Sequence, residues 1–244
     1  SSKWVGRCPG CGEWNTMVEE RVAAGKSKTM SPVRATESRP MPISGIVTET
    51  ETRIHMPSEE LNRVLGGGLV AGSIILIGGE PGIGKSTLVL QNILSIRGKR
   101  ILYVSGEESA SQLKMRADRI GRLSDNCLIV CDTSLESIMG HIAKVEPEIL
   151  VVDSIQTIAS DAIESSSGSV SQVRECAAQL LRYAKTSGTP VILIGHINKE
   201  GSIAGPKVLE HIVDAVLQFE GDRHYMYRIL LSLIHISEPT RHAQ

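Results

Sequence analysis

One eight-residue segment constrains the fold of this chain more than any other. Residues 79–86, GEPGIGKS, match the phosphate-binding pattern GxxxxGK[ST] at every position. The apolar run Ile74–Gly78 comes directly before the segment, and a helical pattern begins at Lys85. In this order of strand, loop and helix, the backbone amides of the loop and of the helix N-terminus point at phosphate oxygens. The segment therefore predicts a nucleotide-binding α/β fold.

The polar positions of this loop have expected roles in binding ATP and Mg²⁺. Lys85 is predicted to reach the β- and γ-phosphates and to act in catalysis as their charge partner, and Ser86 to bind Mg²⁺. Thr87 is the natural next contact, to the α-phosphate. The remaining predicted nucleotide-binding residues are Gly79, Glu80, Pro81, Gly82, Ile83 and Gly84.

Three other strand-like segments end in polar side chains. ILVVD ends in Asp153, which is predicted to hold Mg²⁺ beside the phosphate loop. YVSGEES places Glu107 and Glu108 where a strand ends and a helix begins, and Glu107 is the preferred candidate for polarising the attacking water. VILIGH ends in His196, a candidate sensor of the γ-phosphate. The alternatives are that the two glutamates only favour the helix N-terminus, and that His196 is structural.

Strand-like and helix-like segments alternate from residue 54 onward, which predicts a doubly wound, mostly parallel α/β sheet. The chain is 41% hydrophobic but only 3% aromatic, so the core is expected to be aliphatic. The predicted strands are 73–78, 100–105, 127–131, 149–153, 190–195, 213–219 and 224–230. The predicted helices are 58–64, 85–97, 109–120, 135–145 and 170–185.

Four segments differ in character along the chain. Residues 1–20 form a partial zinc finger in which Cys8 and Cys11 supply two of the four ligands that tetrahedral zinc requires; a redox pair is less favoured. Residues 21–53 are predicted to be a flexible basic linker, with phosphate contact as the alternative. Residues 54–230 form the predicted ATPase core, and 231–244 a tail.

Charge and hydropathy exclude several classes of protein. The formal net charge is -1, so the chain cannot grip nucleic acid by bulk charge, although a local patch remains open. No apolar stretch approaches the roughly 20 residues of a membrane helix, and the N-terminus lacks the apolar region of a secretory signal. We therefore expect a cytoplasmic protein with no membrane partner.

Several motifs together resemble the RadA (Sms) family of bacterial DNA repair proteins over roughly residues 1–230. The matching segments are LNRVLGGGLVAGSIILIGGEPGIGKSTL, YVSGEES, ILVVDSIQT and GHINKEGSIAGPKVLEHIVDAVLQFEGD. The resemblance implies a RecA-like ATPase core in a homo-hexameric ring around DNA. It further implies DNA-stimulated hydrolysis of the β–γ bond of ATP and processing of single-stranded and branched DNA, by branch migration or translocation, with a recombinase as a possible partner.

The resemblance also assigns roles to individual residues. It makes Lys85, Ser86 and Asp153 the nucleotide and magnesium positions, Glu107 the catalytic carboxylate and His196 the γ-phosphate sensor. Two loops match the DNA-facing loops of RecA-like cores, and two lysines in or near the second are candidate phosphate contacts. These loops and lysines are Asp161–Ser169, Asn198–Pro206, Lys199 and Lys207.

The chain departs from the family pattern at three places. The family's finger has four cysteines in two CxxC pairs, and only Cys8 and Cys11 stand here, so Zn²⁺ binding is expected only in the intact chain. The family's KNRFG motif and its Lon-protease-like domain do not follow the last predicted strand. Leu231–Arg241, LSLIHISEPTR, instead resembles the translation of a transposase sequencing adapter. We therefore predict that the tail from about Leu231 to Gln244 is not native.

Two other functions are compatible with a phosphate loop. A nucleotide-gated signalling module of the circadian-clock type would use a similar core without acting on DNA. A small-molecule kinase is less favoured, because no arginine-rich lid segment follows Asp153.

Overall fold

The computed structural model describes residues 42–43, 53–196, 209–221 and 228–235. The chain divides into two compact units, residues 1–47 and 48–244. Of the first unit only Pro42 and Ile43 are described. Several predicted sites lie outside the described residues, namely Cys8, Cys11, Asn198–Pro206, Lys199 and Lys207.

The described part of the second unit alternates strands and helices. The strands are β1 (Ile74–Gly79), β2 (Ile101–Ser105), β3 (Cys127–Cys131), β4 (Ile149–Asp153), β5 (Val191–His196), β6 (Ala215–Gly221) and β7 (Arg228–His235). The helices are α1 (Glu59–Val64), α2 (Lys85–Ile93), α3 (Ala110–Ile120), α4 (Leu135–Val145) and α5 (Val170–Ser187).

All seven strands belong to one sheet in the order β3-β2-β4-β5-β1-β6-β7. Every pairing is parallel except that of β6 with β7. The predicted doubly wound, mostly parallel sheet is therefore confirmed. Because parallel strands end at the same edge, Ser105 lies opposite Asp153, and Gly79 lies opposite His196. This edge brings the polar strand ends together.

The core is aliphatic and covers both faces of the sheet. Helices α4 and α5 pack on one face, and α1, α2 and α3 pack on the other. Strands β1, β2 and β4 are buried along their whole length, which explains why they consist of continuous apolar runs. Each buried Leu or Ile contributes about 1.5–3 kcal/mol through removal of its side chain from water.

Two predicted segments have an end that differs from the structure by four residues or more, whereas the ends of the others agree to within two residues. Helix α2 ends at Ile93 rather than Arg97. Next to this end, the side-chain amide of Asn92 donates to the Leu88 carbonyl and accepts a hydrogen bond from the Ser58 N–H. The strand predicted at 224–230 lies at Arg228–His235, where it pairs antiparallel with β6. Strand β7 therefore passes residue 230, the predicted end of the core. The foreign origin of residues 231–244 stays a prediction.

The helices in the described ranges are short. The longest, α5, has 18 residues and carries several charged side chains. None of the helices described is both long and apolar enough to cross a membrane.

Candidate active site

The phosphate loop joins β1 to α2 and is open on the side of its glycines. Gly84 is the N-cap of α2 with φ 107°, and no side chain in the described part of the chain caps this helix. Gly82 has φ 75°, and a Cβ placed there would meet no atom within 4 Å. A chain with positive φ and free helix-terminal amides fits a phosphate group. The loop therefore has a backbone shape that fits a phosphate group, and its binding of a nucleotide stays a prediction.

The first glycine of the loop packs tightly on the neighbouring strand β6. A Cβ on Gly79 would lie 2.5 Å from the Phe219 carbonyl oxygen, so no larger residue fits. A cavity of about 220 Å³ lies beside this contact, and its lining includes Ile83 and Gly221. The cavity lies on the β6 side of β1. Strands β5, β4 and β2, which end in polar side chains, lie on the other side of β1.

Lys85 is buried at the start of α2, with only 3% of its surface exposed. Its Nζ donates to the carbonyl oxygens of Gly79 and Glu80, each at 2.9 Å, and lies 3.3 Å from Nδ1 of His196. Burial lowers the pKa of Lys85, although the nearby carboxylates of Asp153 and Glu107 oppose this effect. A cation held this far from water is placed to interact strongly with an arriving anion.

Glu107 follows β2 and is held by two side chains. The Ser154 hydroxyl donates to Oε1 of Glu107 at 2.5 Å, and Nε2 of His196 lies 2.9 Å from the same oxygen. Burial raises the pKa of Glu107, but the hydrogen bonds from Ser154 and His196 and the nearby charge of Lys85 together outweigh this effect, so the pKa lies below its ordinary value. The side chain is 39% exposed. Glu107 is therefore an ionised carboxylate that water can reach.

The neighbouring Glu108 has a different environment. Its carboxylate pairs with Arg116 on α3, and its backbone N–H and carbonyl both bond the Ser105 hydroxyl. Helix α3 has its own cap, in which Ser109 and Gln112 form a reciprocal pair. The two carboxylates therefore have different positions and different partners. Glu107 faces the other polar strand ends and Glu108 supports the turn, which agrees with the preference for Glu107; its catalytic role stays a prediction.

Gly106 places Glu107, and sequence reasoning missed it. The Gly106 N–H donates to the Asp153 carbonyl at 2.7 Å. A Cβ on Gly106 would lie 1.9 Å from Oγ1 of Thr157, so any side chain would displace Thr157 in the turn after β4. The signal available in the sequence was a glycine between a strand and two carboxylates. Ser154 was also missed, because nothing in its sequence neighbourhood indicates a partner 47 residues away.

Asp153 ends β4 and is 5% exposed. Its Oδ2 accepts a hydrogen bond from the hydroxyl of Tyr103 at 2.5 Å. Burial raises the pKa of Tyr103 well above its usual range, and the Asp153 charge and hydrogen bond add to the effect, so Tyr103 remains a donor. The peptide bond from Asp153 to Ser154 is cis.

The residues present fit Mg²⁺ held by a nucleotide. The Asp153 carboxylate and the Ser86 hydroxyl are oxygen ligands of the kind that Mg²⁺ takes, and a nucleotide-bound Mg²⁺ needs only one or two protein ligands. Among the described residues no group of three or more His, Cys, Asp or Glu side chains could hold a metal ion by itself.

The polar loop after β4 is held by the chain's own side chains. The Gln172 amide donates to the carbonyls of Ser160, Ile163 and Ser165, and its oxygen accepts the Ser160 N–H. Glu136 accepts the Ser160 hydroxyl and the Asp161 N–H. The family resemblance matches Asp161–Ser169 of this loop to a DNA-facing loop, and contact with DNA stays a prediction. The first half of the loop is fixed by internal hydrogen bonds.

The structure brings four of the predicted site residues together. Lys85, Glu107 and His196 are joined by direct contacts, and Asp153 lies next to Ser154, which bonds Glu107. Ser86 and Thr87 follow Lys85 in the first turn of α2, where Thr87 is exposed.

Comparisons with known proteins show which family the chain is similar to. A family described as "AAA domain" matches residues 36–202, and one described as "Rubredoxin metal binding domain" matches residues 1–19. The DNA repair protein RadA of Halalkalibacterium halodurans is 52% identical over 236 residues, which cover 94% of this chain and 51% of that protein. The chain belongs to the RadA family.

Other RadA proteins match over the same extent. The RadA of Bacillus subtilis is 52% identical over 94% of this chain and 51% of its own length. The RadA of Chlamydia trachomatis is 48% identical over 98% of this chain and 53% of its own length. The chain thus spans about half the length of the curated RadA proteins it matches. The predicted family and RecA-like α/β fold are confirmed, and the rubredoxin-type match agrees with a zinc module at residues 1–19.

Proposed function

We propose that this chain is the ATP-hydrolysing core of a DNA-dependent ATPase of recombinational repair. One observation carries the proposal. An ammonium, two carboxylates and an imidazole, those of Lys85, Glu107, Asp153 and His196, converge at the carboxyl edge of the sheet beside an open phosphate loop. Such convergence of ionisable groups at the strand ends of an open α/β sheet is typical of an active site.

The phosphate loop and its neighbours set the direction of the nucleotide. Lys85 would exchange its bonds to the Gly79 and Glu80 carbonyls for the β- and γ-phosphate oxygens. Mg²⁺ held by Ser86 and Asp153 would supply positive charge to the same oxygens. The γ-phosphate then lies on the β5–β4–β2 side of β1. The nucleoside end therefore points to the β6 side, where the cavity beside Gly79 is found.

Glu107 is the residue that would activate water. The bonds from Ser154 and His196 both use Oε1, so a water can be held at Oε2. The water oxygen attacks the γ-phosphorus, the bond from that phosphorus to the β–γ bridging oxygen breaks, and Glu107 takes the proton from the water. ADP and inorganic phosphate leave, and the proton returns to solvent.

His196 would connect hydrolysis with DNA. It is the last residue of β5, and the Asn198–Pro206 loop that the family resemblance assigns to DNA follows directly. Its ring contacts both Lys85 and Glu107, so a shift of this loop would reach the catalytic carboxylate through one side chain. We extend the proposal to single-stranded and branched DNA as substrate, a homo-hexameric ring, a recombinase partner and a cytoplasmic location.

The experiment is to measure inorganic phosphate release from Mg²⁺–ATP by this chain, with and without single-stranded DNA. The control is Glu107→Gln, which separates the chain's own turnover from a contaminant. We expect release that DNA increases. No release above the control would contradict an ATPase, and release that DNA does not change would favour the signalling module over the DNA motor. Appearance of the phosphate on an organic acceptor would identify a kinase instead.

A further inference from the structure

Tyr103 is the largest completely buried side chain in the described structure. It lies on β2 among aliphatic residues of the sheet face covered by α1, α2 and α3. In the sheet register Tyr103 is opposite Val151, whereas Asp153 is opposite Ser105. The phenol ring therefore extends along the sheet toward the carboxyl edge, where its hydroxyl meets Oδ2 of Asp153.

The hydroxyl of Tyr103 is a polar group buried among aliphatic side chains, which needs a physical explanation. A phenylalanine would fill the same aliphatic pocket without bringing a polar group into it, and a buried hydroxyl without a partner costs free energy. The partner is a carboxylate that is itself 5% exposed. The Tyr103 hydroxyl is the donor in this bond, so it fixes one defined oxygen of Asp153.

We propose that Tyr103 is a positioning residue of the magnesium site. By holding Oδ2 of Asp153, it fixes the rotation of the carboxylate and leaves Oδ1 for Mg²⁺ or for a water bound to it. Side chains that orient metal ligands in this way commonly affect metal affinity about 10–100-fold. The inference rests on the proposed function, because it assumes that Asp153 serves a nucleotide-bound Mg²⁺.

The test is Tyr103→Phe in the whole chain, with Tyr183→Phe as the matched control. The Tyr183 hydroxyl also has a side-chain partner, Thr189 Oγ1 at 3.3 Å, but this contact lies at the end of α5, away from the phosphate loop. Binding of a fluorescent, non-hydrolysable ATP analogue is measured by anisotropy in EDTA and at increasing Mg²⁺ concentrations. Thermal unfolding in EDTA reports the fold of each variant.

We expect all three proteins to bind the analogue equally in EDTA. In Tyr103→Phe, the Mg²⁺ concentration that gives half of the metal-dependent increase in affinity should rise about tenfold or more, and in Tyr183→Phe it should not change. An unchanged value in Tyr103→Phe would overturn the proposal. So would an equal loss of affinity in EDTA, because that would indicate a general effect on the fold.

A double-mutant cycle with Asp153→Asn tests whether Tyr103 acts through the carboxylate. If it does, Tyr103→Phe should have no further effect on Mg²⁺ dependence once Asp153 is changed. A full additional effect would overturn the proposed route. If the wild-type chain itself did not bind the analogue, the proposed nucleotide function would fail first, which is a different result from normal wild-type binding with an unaffected Tyr103→Phe.

Discussion

Two buried polar side chains of this molecule, Gln172 and Lys85, have different kinds of partner. Gln172 belongs to the Gln172 cluster, composed of Gln172, the buried Ser160 and the exposed Glu136, which closes the loop after β4. Gln172 is 2% exposed, and its amide makes four hydrogen bonds to backbone groups. Lys85, in the phosphate loop, is 3% exposed, but its ammonium is bonded to two carbonyls of its own loop and touches one imidazole.

The difference separates stability from function. A buried amide with all its partners present stabilises the fold and has nothing left to offer a ligand. A buried ammonium bonded to neutral carbonyls has lost water without gaining a direct bond to an anion, so an arriving phosphate improves its surroundings. Changes in the phosphate loop should therefore alter turnover more than stability, and changes in the Gln172 cluster should do the reverse.

Lys85→Ala should give the largest effect on turnover. The γ-phosphate loses its charge partner, and we expect ATP hydrolysis to fall about 100-fold or more. Because the substitution also removes a desolvated ammonium, the melting temperature without nucleotide should not decrease substantially. Phosphate release and thermal unfolding measure the two effects. Unchanged turnover would show that the phosphate loop has been wrongly assigned.

Glu107→Gln should stop hydrolysis and keep ATP binding. The amide cannot take the proton of water, so turnover should fall by about 10²–10⁴-fold, while the bonds that hold the nucleotide are untouched. Glu108→Gln is the matched control, since it changes the neighbouring carboxylate that pairs with Arg116. It should keep turnover. Loss of nucleotide binding in Glu107→Gln would instead indicate that Glu107 has a structural role.

The sequence allowed the fold and the convergence of the strand ends to be predicted, for a physical reason. Apolar runs alternating with helical patterns imply parallel strands, and parallel strands place Asp153 and His196 at one edge. The contacts of Tyr103 and Gln172 left no such signal. Each depends on one side chain meeting a partner that no periodicity relates to it, 50 residues away for Tyr103 and Asp153.

Gln172→Ala should affect stability more than turnover. The N–H of Ser160 and three carbonyls lose their common partner, and we expect the free energy of unfolding to fall by about 2–3 kcal/mol. ATP turnover at a temperature where the chain is folded should stay within about twofold of wild type. Denaturant unfolding and phosphate release check both expectations.

Gln179→Ala is the control on the same helix, because the Gln179 amide donates to the Glu175 side chain in the adjacent turn. It should change the free energy of unfolding by no more than about 0.5 kcal/mol. Equal destabilisation by the two substitutions would mean that the four bonds of Gln172 contribute nothing beyond those of an ordinary helix position.

Glu136→Gln should have the smallest effect, which we expect to see only as a change in how the free energy of unfolding depends on pH. Burial raises the pKa of Glu136, but the hydrogen bonds from the Ser160 hydroxyl and from backbone N–H groups lower it by a larger amount. The pKa of Glu136 in the folded chain therefore lies below the ordinary value. The stabilisation from the carboxylate is therefore complete above the ordinary glutamate pKa of about 4.3 and is lost as the pH falls through the folded pKa. The difference in free energy of unfolding between wild type and Glu136→Gln should be constant at neutral pH and shrink in acid. A difference that stays constant down to the acid limit of folding would show that Glu136 is not held as a carboxylate, and that Gln172 alone closes the loop.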